Sequence, residues 1–183
     1  MTEGVRPEMT PAPHASTVKI RLLTPADAAV YRPVRLEALA AHPEAFSSTF
    51  AREQDMPLAW FEERLTTSDV FGAFIAEELV GVAGFRRQDG AKTEHKALLW
   101  GMYVRPNARK FAAARRLVDA VVAHAAERVE QLQLAVVSEN AAAIRLYTAA
   151  GFVEYGREVK ALKQDGRYLD EILMALFLSD SGL

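Results

Sequence analysis

Apolar positions along this chain change period several times, and each change marks an element. Val18 to Leu23 alternates basic and apolar residues, the period-two pattern of a strand. Thr24-Pro25-Ala26-Asp27 supplies a helix start, with Thr24 as N-cap and Pro25 at the first helical position. The helix it opens is expected to run to about Ala41, with Leu36, Leu39 and Ala40 on one apolar face and Pro33 kinking or splitting it. His42 to Asp55 reads as loop, or as a short irregular helix around Pro43 to Phe46, before Pro57 opens a helix carrying Trp60, Phe61 and Leu65 on one side. Val70 to Ala76 and Leu79 to Arg87 read as strands joined by a tight turn at Glu77-Glu78, and Gly81 and Gly84 suggest a bulge or close backbone approach. A long strand, Glu94 to Val104, runs into Pro106.

Beyond Pro106 the period becomes helical. Leu117, Val121 and Ala125 make one apolar row, with Val118 and Val122 beside it, in a helix expected to open near Asn107 and end near Val129. Leu132 to Val137 is a continuous apolar run, as in a strand buried on both faces. Asn140 to Ala150 is a short helix closed by Gly151. Phe152 to Leu162 and Arg167 to Phe177 form a hairpin across Gln164-Asp165-Gly166. The order is one strand, two helices, three strands, helix, strand, helix, two strands. Residues 1–16, rich in Pro and Thr and without periodicity, read as an unstructured leader to one domain over residues 17–179.

Composition narrows the chemistry. Half of the 183 residues are hydrophobic, enough for one globular α/β domain. A formal net charge of −2 argues against nucleic acid as the main partner. There is no cysteine, which removes thiol nucleophiles and thiolate zinc sites, and the four histidines show no metal-ligand spacing. No apolar run approaches a membrane span and no signal-peptide pattern opens the chain, so a cytoplasmic location is expected. The basic pairs Arg109-Lys110 and Arg115-Arg116 then suit one small anion at a helix N-terminus.

The segment ENAAAIRLYTAAGF at 139–152 carries Asn140, Ala143-Ile144, Leu146-Tyr147 and Gly151-Phe152 at spacings that resemble the GNAT superfamily of N-acetyltransferases. The resemblance extends from about Val18 to Leu178, and RLEALAAHPEAFSSTF at 35–50 is similar to the substrate-side helix and loop of many members. It implies an α/β (α+β) fold: a mixed, mostly antiparallel central sheet flanked by helices and splayed between the fourth and fifth strands. It also implies acetyl-CoA as co-substrate, no metal, and a primary amine of a small molecule or peptide as acceptor. In many members the last strands build a homodimer.

By the same resemblance, Met102, Tyr103, Val104, Asn140, Ala143 and Tyr147 would meet the cofactor, and Tyr147 would protonate the departing thiolate. The bland alternatives are a core tyrosine and, for Asn140, a helix N-cap. No carboxylate lies within Leu98 to Val104, which leaves Glu94, with His95 and Glu139, as candidate general bases. Trp60 and Trp100 read as packing residues more than substrate cages, with the strand position of Trp100 leaving open that it lines the acceptor groove.

The family's pyrophosphate loop, Q/R-x-x-G-x-G/A, falls on Arg109, Lys110, Phe111, Ala112, Ala113 and Ala114, followed by Arg115, with Ala112 standing where glycine is expected. Alanine favours ordinary helix over glycine by about 0.8–1 kcal/mol. The helix is therefore expected to wind about one turn early. That departure supports a second expectation: a GNAT-fold protein that has lost acetyl-CoA and acts as a binding or regulatory module.

Overall fold

The computed structural model describes residues 17–178, apart from the side chains of Lys110 and Phe111; the leader read at 1–16 lies outside the described residues. Seven strands form one sheet in the order β1-β2-β3-β4-β5-β7-β6. They are β1 (Lys19–Leu22), β2 (Asp69–Ile75), β3 (Glu78–Arg87), β4 (Lys96–Val104), β5 (Gln131–Val137), β6 (Val153–Gln164) and β7 (Arg167–Phe177). Every neighbouring pair is antiparallel except β4 and β5. The helices are α1 (Ala28–Ala41), α2 (Phe50–Glu53), α3 (Leu58–Thr67), α4 (Ala113–Ala126) and α5 (Ala141–Ala149). Among the described residues, no helix is long and apolar enough to cross a membrane.

Two cores sandwich the sheet. On one face α4 buries Leu117, Val118, Val121 and Ala125 against Phe85, Leu99, Leu132 and Leu134. On the other, α1 and α3 bury Tyr31, Val34, Ala38, Phe61 and Leu65 against Val70, Phe74 and Val82. Side chains alternate across each strand, so β2, β3 and β4 each serve both cores.

Several sequence expectations are corrected here. Pro33 does not split its helix; α1 is unbroken, and the carbonyl freed by the missing N–H belongs to Ala29, which is exposed. The buried stripe of α1 is Ala28, Tyr31, Val34, Arg35, Ala38 and Leu39; Leu39 is buried as expected, Leu36 is half-buried, and Ala40 faces solvent. Arg35 enters that stripe because a carboxylate from α2 meets it. The β2–β3 turn is Ala76-Glu77, both at positive φ (47° and 67°), the geometry of a two-residue hairpin turn. Glu94 and His95 precede β4 instead of belonging to it. Ala135 in β5 is exposed, so that strand is not covered on both faces.

The chief correction follows Pro106. A 3-10 turn spans Pro106–Phe111, Ala112 adopts the left-handed conformation (φ 57°, ψ 20°), and only then does α4 begin, at Ala113. Asn107 lies inside the 3-10 turn and does not start α4, and the continuous early helix expected from the alanines does not form. Tertiary packing overrides propensity: Ala113, Leu117, Val118 and Val121 must all reach the core, which fixes the phase of α4.

Candidate active site

β4 and β5 pair in parallel for only three rungs, Lys96↔Gln131 to Leu98↔Gln133. Beyond Leu98 they diverge, and the cause is local to β4. Between Trp100 and Tyr103 this strand holds one residue more than β3 opposite it, and Gly101 sits at φ 63° within that bulge. Only glycine takes that φ without strain, so the bulge is written into the residue type. On the other side β5 stays paired with β7 along its whole length. The result is a wedge whose walls carry unpaired strand backbone.

The wedge is narrow inside and wide outside. A crevice of about 70 Å³ lies between Leu99–Met102 and Leu134–Val137, closed by Phe46, Asn140 and Tyr147. It widens toward α4 into a cleft of about 620 Å³ lined by His42, Met102, Tyr103, Val104, Arg109, Ala114, Asn140, Ala143 and Leu146, among others. On the opposite side, cavities of about 300 and 470 Å³ share Arg35, Ser47, Arg86 and Trp100. Trp100 lies flat on Gly84, where a Cβ would stand 2.3 Å from its ring, so the Gly84 expected to permit a close approach does so.

At the wide cleft, α4 presents its N-terminus without a side-chain cap, and its first intrahelical bond runs from Arg116 N–H to the Ala112 carbonyl. Among the described residues the N–H groups of Ala113, Ala114 and Arg115 have no partner, at the positive end of a 14-residue helix. Arg109 reaches back to donate to the Val104 carbonyl at 3.3 Å, and its Nη2 lies 3.4 Å from His42 Nε2. Arg115 is engaged by Asp119 at 2.7 Å and by the Ala149 carbonyl at 3.0 Å. Ala113 points its methyl into the core, so only its backbone can serve the cleft. The donor set, uncapped amides beside guanidinium groups, fits a phosphate-bearing ligand.

The left-handed Ala112 carries a test of its own. For an L-residue this conformation costs about 1–2 kcal/mol, partly offset in glycine by about 0.4–1 kcal/mol of extra unfolded-state freedom. Ala112→Gly is expected to stabilise the fold by about 0.5–1 kcal/mol, or about 2 °C in melting temperature. A lower melting temperature would show that Ala112 is not held left-handed.

Asn140 caps α5, its Oδ1 accepting from the Ala143 N–H at 3.1 Å, and also lines both parts of the wedge. The cap fixes the helix start. The other end closes when the Phe152 N–H bonds the Tyr147 carbonyl at 3.0 Å, with Gly151 at φ 96°. Tyr147 is thus clamped at its backbone, 6% exposed, with its ring edge against Phe152 at 5.8 Å. Burial pushes its phenol well above the ordinary value of 10.0, so it keeps its proton at neutral pH. Among the described residues no side chain or carbonyl is hydrogen-bonded to its hydroxyl.

Glu94 is not brought to this site. It lines a cavity with His95, Glu127, Arg128 and Glu130 at the other end of β4, 3.8 Å from Arg87. The direction of β4 is the reason: one end enters the sheet edge near Lys96, and the crevice opens past Leu98. Glu139 lines the wide cleft and is paired with Arg167.

Residues 34–152, more than half of the chain, match the model of the Acetyltransferase (GNAT) family. The chain belongs to the GNAT acetyltransferase family. A mycothiol acetyltransferase of Brachybacterium faecium is 31% identical over 140 residues, which are 73% of this chain and 40% of that protein. The chain thus matches well under half the length of that relative. Among solved structures, a ribosomal-protein-alanine N-acetyltransferase of Brucella melitensis is 27% identical, with a TM-score of 0.71, covering 87% of this chain and 99% of its own. The protein yncA of Salmonella typhimurium, assigned as an acetyltransferase, was solved with its cofactor acetyl-CoA. It superposes with a TM-score of 0.78 at 24% identity, covering 92% of this chain and 98% of that one. The GNAT sheet, parallel only at the fourth and fifth strands, is therefore the fold of this chain.

Proposed function

We propose that this GNAT protein transfers the acetyl group of acetyl-CoA to a primary amine of a small molecule or peptide, by direct attack within a ternary complex. The observation that carries this reading is the break at Ala112, which leaves the α4 N-terminus free over the wedge between β4 and β5. Acetyl-CoA supplies an activated thioester; the chain's part is to hold and polarise it. The α4 amides with Arg109 take its phosphates, and the unpaired backbone of Gly101 to Val104 offers strand-like partners to the amides of its arm. Tyr147, protonated and facing the crevice, presents its hydroxyl to the departing sulfur. A phenol above the ordinary thiol range of about 8.5 donates a hydrogen bond to the thiolate more readily than a whole proton. The rest of the proton's path therefore starts at the attacking amine. The Brucella relative's name, an alanine N-acetyltransferase, is consistent with an amine acceptor.

The loss-of-binding reading predicts a continuous helix from Pro106, and the chain has instead a left-handed residue at Ala112. Calorimetric titration decides between the two. Acetyl-CoA is expected to bind with a micromolar dissociation constant, about −8 kcal/mol. At a hundredfold excess over that constant the fold should gain about 2.7 kcal/mol, read as a higher melting temperature. No heat and a flat melting curve would leave the fold without its co-substrate.

A further inference from the structure

On the face opposite α4, two carboxylates stand directly across from one another: Glu158 of β6 is paired with Glu171 of β7. Like charges in direct cross-strand register destabilise a sheet, so the pair calls for a reason. It is not neutralised by its neighbours. Arg157 bonds Asp170 at 2.9 Å, and Lys160 gives its backbone N–H to the same carboxylate at 2.8 Å while its ammonium lies over Tyr168. Among the described residues neither the Glu158 nor the Glu171 carboxylate makes a hydrogen bond or ion pair.

Glu171 is half-buried and lines the 300 Å³ cavity on the face opposite α4. That cavity shares Phe46, Leu99, Trp100, Gly101, Leu134 and Ala135 with the crevice that holds Tyr147. Glu171 therefore opens onto the mouth of the crevice from the side opposite the phosphate-binding end. Burial and then the charge of Glu158 raise its carboxyl above the ordinary value of 4.5, toward the range useful to a base. The other charged groups facing this cavity are Arg35, which is spent on Glu53, and Arg86.

We propose that Glu171, backed by Glu158, is the acceptor's ammonium site and general base. The assignment rests on the acetyltransferase reading above. The amine arrives as a cation, and one of its N–H protons passes to the Glu171 carboxylate. The freed lone pair forms the C–N bond to the acetyl carbon, and the C–S bond breaks as the tetrahedral adduct collapses. The adduct's second ammonium proton goes to the sulfur under the Tyr147 hydroxyl, and Glu171 returns its own to water. The acceptor class is accordingly a primary amine that is protonated in solution.

The test uses the full chain, acetyl-CoA and three primary amines (ethylamine, glycinamide and tri-alanine), with free CoA thiol as the readout. Glu171→Gln is expected to lower kcat/KM for the best of them by about a hundredfold, with unchanged acetyl-CoA affinity and an equal or higher melting temperature. Glu158→Gln is expected to move the rising limb of the pH profile to lower pH. A Glu171→Gln rate within twofold of wild type overturns the assignment. If acetyl-CoA binds but no amine is turned over, carbon-13 titration of the glutamate carboxyls decides. A Glu171 signal that responds to added ethylammonium, with a midpoint lowered by Glu158→Gln, upholds the site; indifference to both removes it. Failure to bind acetyl-CoA would defeat the proposed function alone, because the same titration still judges the ammonium site.

Discussion

Tyr147→Phe is expected to lower turnover by about a hundredfold, some 2.7 kcal/mol of transition-state stabilisation, while leaving acetyl-CoA affinity unchanged. The substitution is clean for a structural reason. Among the described residues the hydroxyl has no protein partner, so its removal orphans no buried donor or acceptor. The ring keeps its edge contact with Phe152, and the α5 end is clamped through backbone atoms. Stability should therefore stay within about 0.5 kcal/mol of wild type. Tyr103 is the natural control. It too lines the cleft, but it donates to Glu37 Oε1 at 2.9 Å, and burial together with that carboxylate pushes its phenol up to about 12. A phenol already committed to a carboxylate has no proton to offer sulfur, and Tyr103→Phe should retain turnover. Steady-state rates that do not change in Tyr147→Phe would end its assignment as the proton-bearing group.

Glu53→Ala is expected to cost about 3–5 kcal/mol of stability, the scale for removing one partner of a buried ion pair. Glu53 is fully buried, and Arg35 is 5% exposed. Arg35 donates to it twice, at 3.0 and 2.8 Å, and Arg64 approaches at 3.5 Å. Burial by itself would raise the Glu53 carboxyl, but bonds from Arg35 and Ser48 and the two guanidinium charges outweigh it and hold the group below its ordinary 4.5. A carboxylate lowered in the folded state stabilises at neutral pH and loses that contribution as pH falls below its ordinary value. Acid should accordingly weaken the wild type more than the variant. Urea unfolding checks both statements: a midpoint shift at constant slope reports the stability loss, and a loss under about 1 kcal/mol would mean that Arg35 finds another partner. Because Arg35 and Arg64 also line the cavities on the face opposite α4, the same variant should loosen that side of the site.

Much of the site could be read along the chain because its signals are local. The segment 139–152 specifies a capped helix, a C-terminal glycine and the spacing of Tyr147 between them, and all of that depends on residues within one helix length. The strands, the Asp165-Gly166 turn and the apolar row of α4 were legible for the same reason: period and turn chemistry are properties of neighbours. Gly101, at positive φ in the β4 bulge beside the wedge, was not legible in this way, because nothing local says that a bulge would fall there or that the strand beside it would be β5.

What only the tertiary structure decided are the features that join distant residues. The Arg35–Glu53 pair crosses 18 positions, and it turns a charged residue in a helical stripe into part of the core. The Glu158–Glu171 register exists only once β6 and β7 are paired, and its relation to the crevice only once β7 lies beside β5. The loop at Ala112 shows the limit most sharply. Alanine's own preference of about 1 kcal/mol points toward helix, and the packing of Ala113, Leu117, Val118 and Val121 against the sheet holds Ala112 left-handed instead. Burial of several apolar side chains, at about 1.5–3 kcal/mol each, exceeds the preference of a single alanine. That inequality is invisible to any window of sequence shorter than the fold.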